Sequence, residues 1–202
     1  MTDTTHIYRS IVLPHIDFPG AIQFVTTRLA DSFPTGWNAH TSLPSTATPL
    51  EIRRAFEGRL DQGHGACWLA DPRVARIVQD SLRHFDGQHY DLFAWVLMPN
   101  HAHCLLRPRP GFSLSKIVAR WKGYTALEAN RILGRQGAFW QRDYFDRYIR
   151  DERQFYGAVE YIHRNPFKAG RVARPELWEW SSAQAWLTDP DRFVHLLGQT
   201  EG

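Results

Sequence analysis

The stretch Tyr90–Arg107, YDLFAWVLMPNHAHCLLR, decides the architecture. Its first part, Tyr90 to Met98, is a continuous apolar run rich in aromatic and branched side chains, and it reads as a buried strand. Pro99-Asn100 interrupts the run with turn chemistry. His101 to Arg107 then reads as the partner strand of an antiparallel pair. His101 and His103 are two apart on that strand, so both rings point to one face and Ala102 points the other way, into packing. Two imidazoles converging on a point suit a metal. They do not fill its coordination sphere, so a third protein ligand, water or substrate oxygens must complete it. The pair is expected at a strand start, near a sheet edge that a substrate can reach. An isolated HxH is common by chance, and the pattern needs support from elsewhere in the chain.

Working outward, Gly20 to Leu29 reads as a strand after a Pro-Gly break, and Ser32 to Pro49 as loop. Leu50 to about Leu60 looks helical. Asp71 as N-cap and Pro72 as first helical residue open a second helix, with Val74, Ile77, Val78, Leu82 and Phe85 as its core face. A long helix runs from Ser113 to about Leu133, capped by Ser113 or Ser115. Phe139-Trp140-Gln141 reads as a short strand. Asp151 to about Asn165 is a further helix, expected to stop at Pro166. The order strand, helix, strand, strand, helix, short strand, helix suits an α+β fold: an RRM-like or ferredoxin-like antiparallel sheet with flanking helices.

The helix before Pro166 carries a second chemical signal. Phe155, Ala158, Val159 and Ile162 form one apolar stripe, and Tyr161 lies about 120° from its centre at 100° per residue. Asn165 follows one turn later on the same flank, and Gly157 one turn earlier is expected to leave room. A phenol and a carboxamide oxygen therefore face one small volume, and the oxygen of Asn165 is a candidate hard-metal ligand. Interfacial packing is the plainer reading of Tyr161, and Tyr144, Tyr148 and Tyr156 compete with it; Tyr156 falls on the opposite flank.

Length and composition bound the rest. The 202 residues suit one domain, with a loop over 34–49 and a tail after about 187. Hydrophobic content of 43% and charged content of 22% are globular values. Cys67 and Cys104 form no CxxC unit, which fits a reducing cytoplasm. The opening MTDTTHIYRSIVLPH lacks a basic segment followed by a long apolar run, so neither a signal peptide nor a membrane span is expected. The net charge of +3 hides an asymmetry: Arg107 to Arg174 holds 15 Lys/Arg against 6 Asp/Glu, a local +9. A basic half joined to an acidic remainder points to a polyanionic partner. Lys116, Arg120, Lys122, Arg142, Arg147, Arg150 and Arg153 are the candidate phosphate contacts. Trp121 and Trp140 are read as packing rather than base-stacking groups.

MPNHAHCLL and WQRDYFDRYIRDERQFYGAVEYIHRNPFKAGRV, with LPH, FVTTRLADSFP and WEWSS, resemble the REP-associated, single-tyrosine transposases of the HUH endonuclease superfamily. The likeness spans roughly residues 9 to 186, and its most specific part is HxH followed about 60 residues later by YIxxNPxKAG. The resemblance implies that His101 and His103 are metal ligands, Tyr161 the nucleophile and Asn165 a third ligand. It implies Mg²⁺ or Mn²⁺ as cofactor, single-stranded or hairpin DNA as partner, no membrane, and a monomer or homodimer in the cytoplasm near the nucleoid. The implied reaction is strand cleavage and transfer through a 5′-phosphotyrosine at palindromic repeat hairpins. Two rival readings keep parts of this pattern. A non-catalytic nucleic-acid-binding module needs only the basic half and the sheet, and a metal hydrolase using water needs the histidines but no tyrosine.

Overall fold

The computed structural model describes residues 6–9, 14–17, 20–34, 36–37, 42–191 and 193. Strands β1 (His6–Arg9) and β2 (Pro14–Asp17) form an antiparallel pair. Strand β3 (Gln23–Arg28) is followed by helix α1 (Pro49–Asp61), a 3₁₀ turn at Trp68–Ala70 and helix α2 (Pro72–His84). Strands β4 (Tyr90–Met98) and β5 (His101–Pro108) come next, then helix α3 (Leu114–Ile132). Strand β6 (Phe145–Tyr148), helix α4 (Glu152–Lys168), a 3₁₀ turn at Pro175–Leu177 and helix α5 (Ala183–Thr188) complete the order. The four-stranded sheet runs β4-β5-β3-β6, antiparallel throughout, with helices on both faces. That is the α+β architecture the pattern implied.

The β4–β5 hairpin turns in two residues, Pro99 and Asn100, because Met98 already pairs with His101. The turn carbonyls are satisfied: Leu69 N–H donates to Pro99 at 3.1 Å and Leu29 N–H to Asn100 at 2.8 Å. A bulge between Leu92 and Ala94 places Phe93 and Ala94 on the same face, after which the period-2 alternation resumes. One sheet face, with Val25, Leu92, Leu97, Cys104 and Leu106, packs on Val78 and Leu82 of α2 and Val118 and Trp121 of α3. The other, with Phe24, Phe93, Val96 and Leu105, packs on Phe155, Ala158, Val159 and Ile162 of α4. Each such large side chain contributes about 1.5–3 kcal/mol when taken out of water. Thus α4 faces one side of the sheet alone, and any residue of β5 with the parity of Leu105 faces α4.

The outer edge of β4 is covered by the WEWSS segment. Val96 bridges Ser181, Leu97 N–H donates to the Trp180 carbonyl at 2.8 Å, and Trp178 Nε1 donates to the Leu97 carbonyl at 2.9 Å. An open strand edge is thereby paired rather than exposed. Among the described residues, no helix is long and apolar enough to cross a membrane.

Two expectations need correction. The short strand is Phe145–Tyr148, not Phe139-Trp140-Gln141. Phe139 and Trp140 are buried core residues, and Trp140 makes only an isolated bridge to Leu29. Pro166 does not stop α4: it removes one N–H, but Ala169 N–H donates to the Asn165 carbonyl at 3.0 Å and the helix reaches Lys168. The end is set instead by Gly170, whose φ of +67° is the left-handed closure glycine permits. The pair β1–β2 was not anticipated. The loop expected over 34–49 and the tail after 187 fall partly outside the described residues.

Candidate active site

His101 and His103 share the parity of Leu105, so their rings lie between β5 and α4, with ring centroids 4.7 Å apart. Tyr161 of α4 comes down on the same place. Its ring centroid is 5.4 Å from that of His103, in an edge-to-face arrangement. Phe24 of β3 touches both, at 5.3 Å from His103 and 5.8 Å from Tyr161. Asn165, one helical turn beyond Tyr161, is fully buried. The structure therefore brings together all four residues singled out for chemistry. The pair is not at a sheet edge, however: β5 is an interior strand and both histidines are 0% exposed. Gly157 is not a space-maker either, since a Cβ there would meet nothing within 4 Å.

The hydrogen bonding around these groups is one-sided. His101 Nδ1 lies 2.8 Å from Asn100 Oδ1, and His103 Nδ1 lies 2.8 Å from Thr26 Oγ1. Asn100 Nδ2 donates to the His64 carbonyl at 3.0 Å, which turns its Oδ1 toward His101. His101 must then donate from Nδ1, which leaves a lone pair on Nε2. On the inner side, His101 Nε2, His103 Nε2, Tyr161 Oη and both polar atoms of Asn165 are buried with no hydrogen-bond partner. Such orphaned groups are rare in an interior and call for an explanation. Burial keeps both imidazoles neutral, pushing His101 well below the usual histidine range and His103 to about 3.

These residues fit a divalent cation. Two neutral imidazoles with free Nε2 lone pairs and a carboxamide oxygen form a mixed nitrogen and oxygen set. Among the described residues, no three His, Cys, Asp or Glu side chains stand close enough to hold an ion by themselves. The histidine pair is open on its Nε2 side, and the buried carboxamide of Asn165 is the neutral oxygen donor of the set.

Helix α1 adds what sequence reasoning missed. Glu57 and Asp61, both half-buried, look onto the tyrosine, and burial followed by their charges raises the Tyr161 pKa. Both carboxyls are themselves raised by burial. Cations surround them. Lys168 Nζ sits 5.2 Å over the Tyr161 ring, Arg147 sits 5.4 Å over Phe24, and Arg171 is felt by His101. The charged side of an amphipathic helix looks solvated in sequence, so no local signal marked Glu57 or Asp61.

The expected phosphate contacts do not form one surface. Arg147 lies on β6 opposite Phe24, on the tyrosine side of the sheet, where Arg150 and Arg153 follow as exposed residues at the start of α4. Lys116 and Arg120 lie on α3, which covers the opposite face; the Arg120 guanidinium stacks 4.3 Å over Phe85. Lys122 Nζ donates to the Arg142 carbonyl at 2.7 Å, and burial lowers its pKa to about 8. Arg142 itself is exposed. Trp121 and Trp140 are buried, as read from the sequence, and His163 Nε2 is 2.9 Å from Ser182 Oγ, on the flank away from the tyrosine hydroxyl.

Comparisons with known proteins show what the chain is similar to. Residues 70–165 match the family model described as transposase IS200 like. A REP-associated tyrosine transposase of Escherichia coli K12 is 27% identical over 93 residues, 46% of this chain and 54% of its own length. A protein of Haemophilus influenzae with a provisional form of the same name is 27% identical over 107 residues, 47% of this chain and 61% of its own. The chain thus matches just over half the length of these curated relatives. A solved structure of a REP-associated tyrosine transposase bound to a REP hairpin superposes with a TM-score of 0.54 at 18% identity, covering 91% of this chain and 86% of that one. At that identity the superposition establishes a shared fold. The likeness to REP-associated tyrosine transposases read from the sequence is borne out.

Proposed function

We propose, for a chain whose residues 70–165 match the IS200-like transposase family, that it cuts and rejoins single-stranded DNA through a covalent 5′-phosphotyrosine at Tyr161. One observation carries this reading: two imidazole nitrogens of β5 and a tyrosine hydroxyl and a carboxamide of α4 meet in one buried place, none of them in a well-formed hydrogen bond. Structural cores avoid such a set, while a site awaiting an ion and a phosphate requires it.

His101, His103 and Asn165 would hold a divalent cation, Mg²⁺ or Mn²⁺. Bound there, it supplies positive charge that polarises the scissile phosphate. The Tyr161 oxygen attacks phosphorus, the bond to the 3′ oxygen breaks, and that oxygen leaves as a hydroxyl after taking up a proton. Attack by a 3′ hydroxyl reverses the step and restores the phenol, so the bond energy is kept and no nucleotide cofactor is consumed. Tyr161 must first lose its proton, and the Glu57 carboxylate beside it is the acceptor. The charge that raises the phenol's pKa also gives its proton a destination. Phe24 and the α4 stripe hold the ring in place and keep water from one side of it. Arg147, Arg150, Arg153 and Lys168 bind the strand by its phosphates. Hairpin-forming repeats, the ligand in the matched solved structure, are the proposed substrate. A cytoplasmic location accompanies this reading.

The test is a denaturing gel of the protein with Mn²⁺ and a labelled single-stranded hairpin oligonucleotide. A protein-linked product that disappears in Tyr161→Phe is expected. Cleavage that survives Tyr161→Phe without an adduct would overturn the tyrosine mechanism.

A further inference from the structure

We infer that Asp61 is a fourth ligand of the cation site, completing a set of two imidazoles, one carboxamide and one carboxylate. Resting on the metal-site reading above, this gives the site its only negatively charged donor and its choice of ion.

Asp61 Oδ1 is buried and makes no hydrogen bond. It lies 3.8 Å from His101 Nε2, itself buried and unpartnered. That separation is too long for a hydrogen bond. Two ligands about 2.1 Å from a shared ion stand about 3–3.5 Å apart, so a small closure brings both atoms onto one cation. Asn165 of α4 lies against the same carboxylate. Polar atoms of β5, α4 and α1 therefore border one small volume, and they must close by a few tenths of an ångström to reach a common ion.

Asp61 stands where a carboxylate is disfavoured. It is the last residue of α1, where the negative end of the helix dipole disfavours a carboxylate. Its Oδ1 is also out of contact with water and without a hydrogen bond. A carboxylate kept at a helix C-terminus with a buried, unpartnered oxygen is costly unless a cation arrives. The completed set mixes imidazole nitrogen with carboxylate and amide oxygen. Mg²⁺ favours oxygen alone, whereas Mn²⁺, hard but larger and higher in nitrogen affinity, accepts imidazole beside oxygen, so this set favours Mn²⁺ over Mg²⁺.

Titration calorimetry with MnCl₂ and thermal unfolding with and without Mn²⁺ test this on the full chain. One Mn²⁺ per chain is expected. Asp61→Asn should bind it at least about tenfold more weakly while unfolding no lower than wild type in the absence of metal. The Mn²⁺-induced rise in melting temperature should shrink accordingly. Asp61→Ala checks that the result does not depend on the asparagine. Asp61 variants that bind Mn²⁺ as tightly as wild type, while His103→Ala does not bind, would overturn this assignment alone. Full Mn²⁺ affinity in His103→Ala would overturn the underlying metal-site reading and this one with it.

Discussion

Asn100 Oδ1 lies 2.8 Å from His101 Nδ1, and this contact settles which nitrogen of His101 is free. The amide cannot flip without losing its donation to the His64 carbonyl. Asn100→Ala is therefore expected to weaken Mn²⁺ binding by about 10- to 100-fold, the usual cost of removing the group that orients a ligating histidine. Circular dichroism should show the fold retained. Wild-type affinity in this variant would mean that the tautomer is fixed by something else.

Tyr161→Phe should abolish the adduct and yet stabilise the protein. The hydroxyl is buried with no well-formed hydrogen bond, facing only the half-buried Glu57 carboxyl, and removing it relieves a desolvation cost of about 1–3 kcal/mol. A rise of a few degrees in melting temperature is expected for a chain of this size. A fall in stability would show that the hydroxyl has a structural partner after all.

Glu57→Gln separates proton removal from metal binding. Adduct formation at neutral pH should slow by about 10²- to 10⁴-fold, the range for loss of a general base. Mn²⁺ affinity measured by calorimetry should stay within about threefold. Single-turnover rates equal to wild type would exclude Glu57 as the proton acceptor.

Asp91 lies far from the chemistry but anchors the sheet. Its two carboxylate oxygens accept from Arg107 at 2.8 Å and Arg109 at 2.7 Å, and both Asp91 and Arg107 are buried. Asp91→Ala removes the buried carboxylate that Arg107 and Arg109 share and should cost about 3–5 kcal/mol in urea unfolding. A loss below about 1 kcal/mol would mean that water reaches Arg107.

The split of the basic residues over two faces can be read from salt dependence. Arg147→Ala should reduce the slope of log affinity against log salt for a single strand by about one phosphate contact. Arg120→Ala, on the α3 side, should change it less. Equal effects from both substitutions would require the strand to wrap the sheet.

The sequence revealed most where order is local. The β4–β5 hairpin needs only a run of apolar residues, a turn dipeptide and a partner run, so both strands and the shared face of His101 and His103 were legible. Helical spacing put Asn165 beside Tyr161 because both lie on one helix. The misplaced short strand has a physical cause: Phe139 and Trp140 are aromatic because they fill the core, while β6 carries Asp146 and Arg147 and owes its pairing to β3. Glu57 and Asp61 were invisible because their role depends on where α1 is laid, which is a matter of tertiary packing. The edge position expected for the histidines failed for the same reason, since only the pairing of β3 with β5 makes β5 interior.

Phe24 packs against both His103 and Tyr161, which also touch each other, so the three rings form a triangle with centroids 5.3, 5.8 and 5.4 Å apart. It takes no part in bond making, yet its bulk braces both rings at their spacing. A single inert side chain thus acts as a gauge. Lineages could retune the reach of the nucleophile, toward a bulkier or a slimmer substrate backbone, by exchanging this one residue while every reacting group stays untouched.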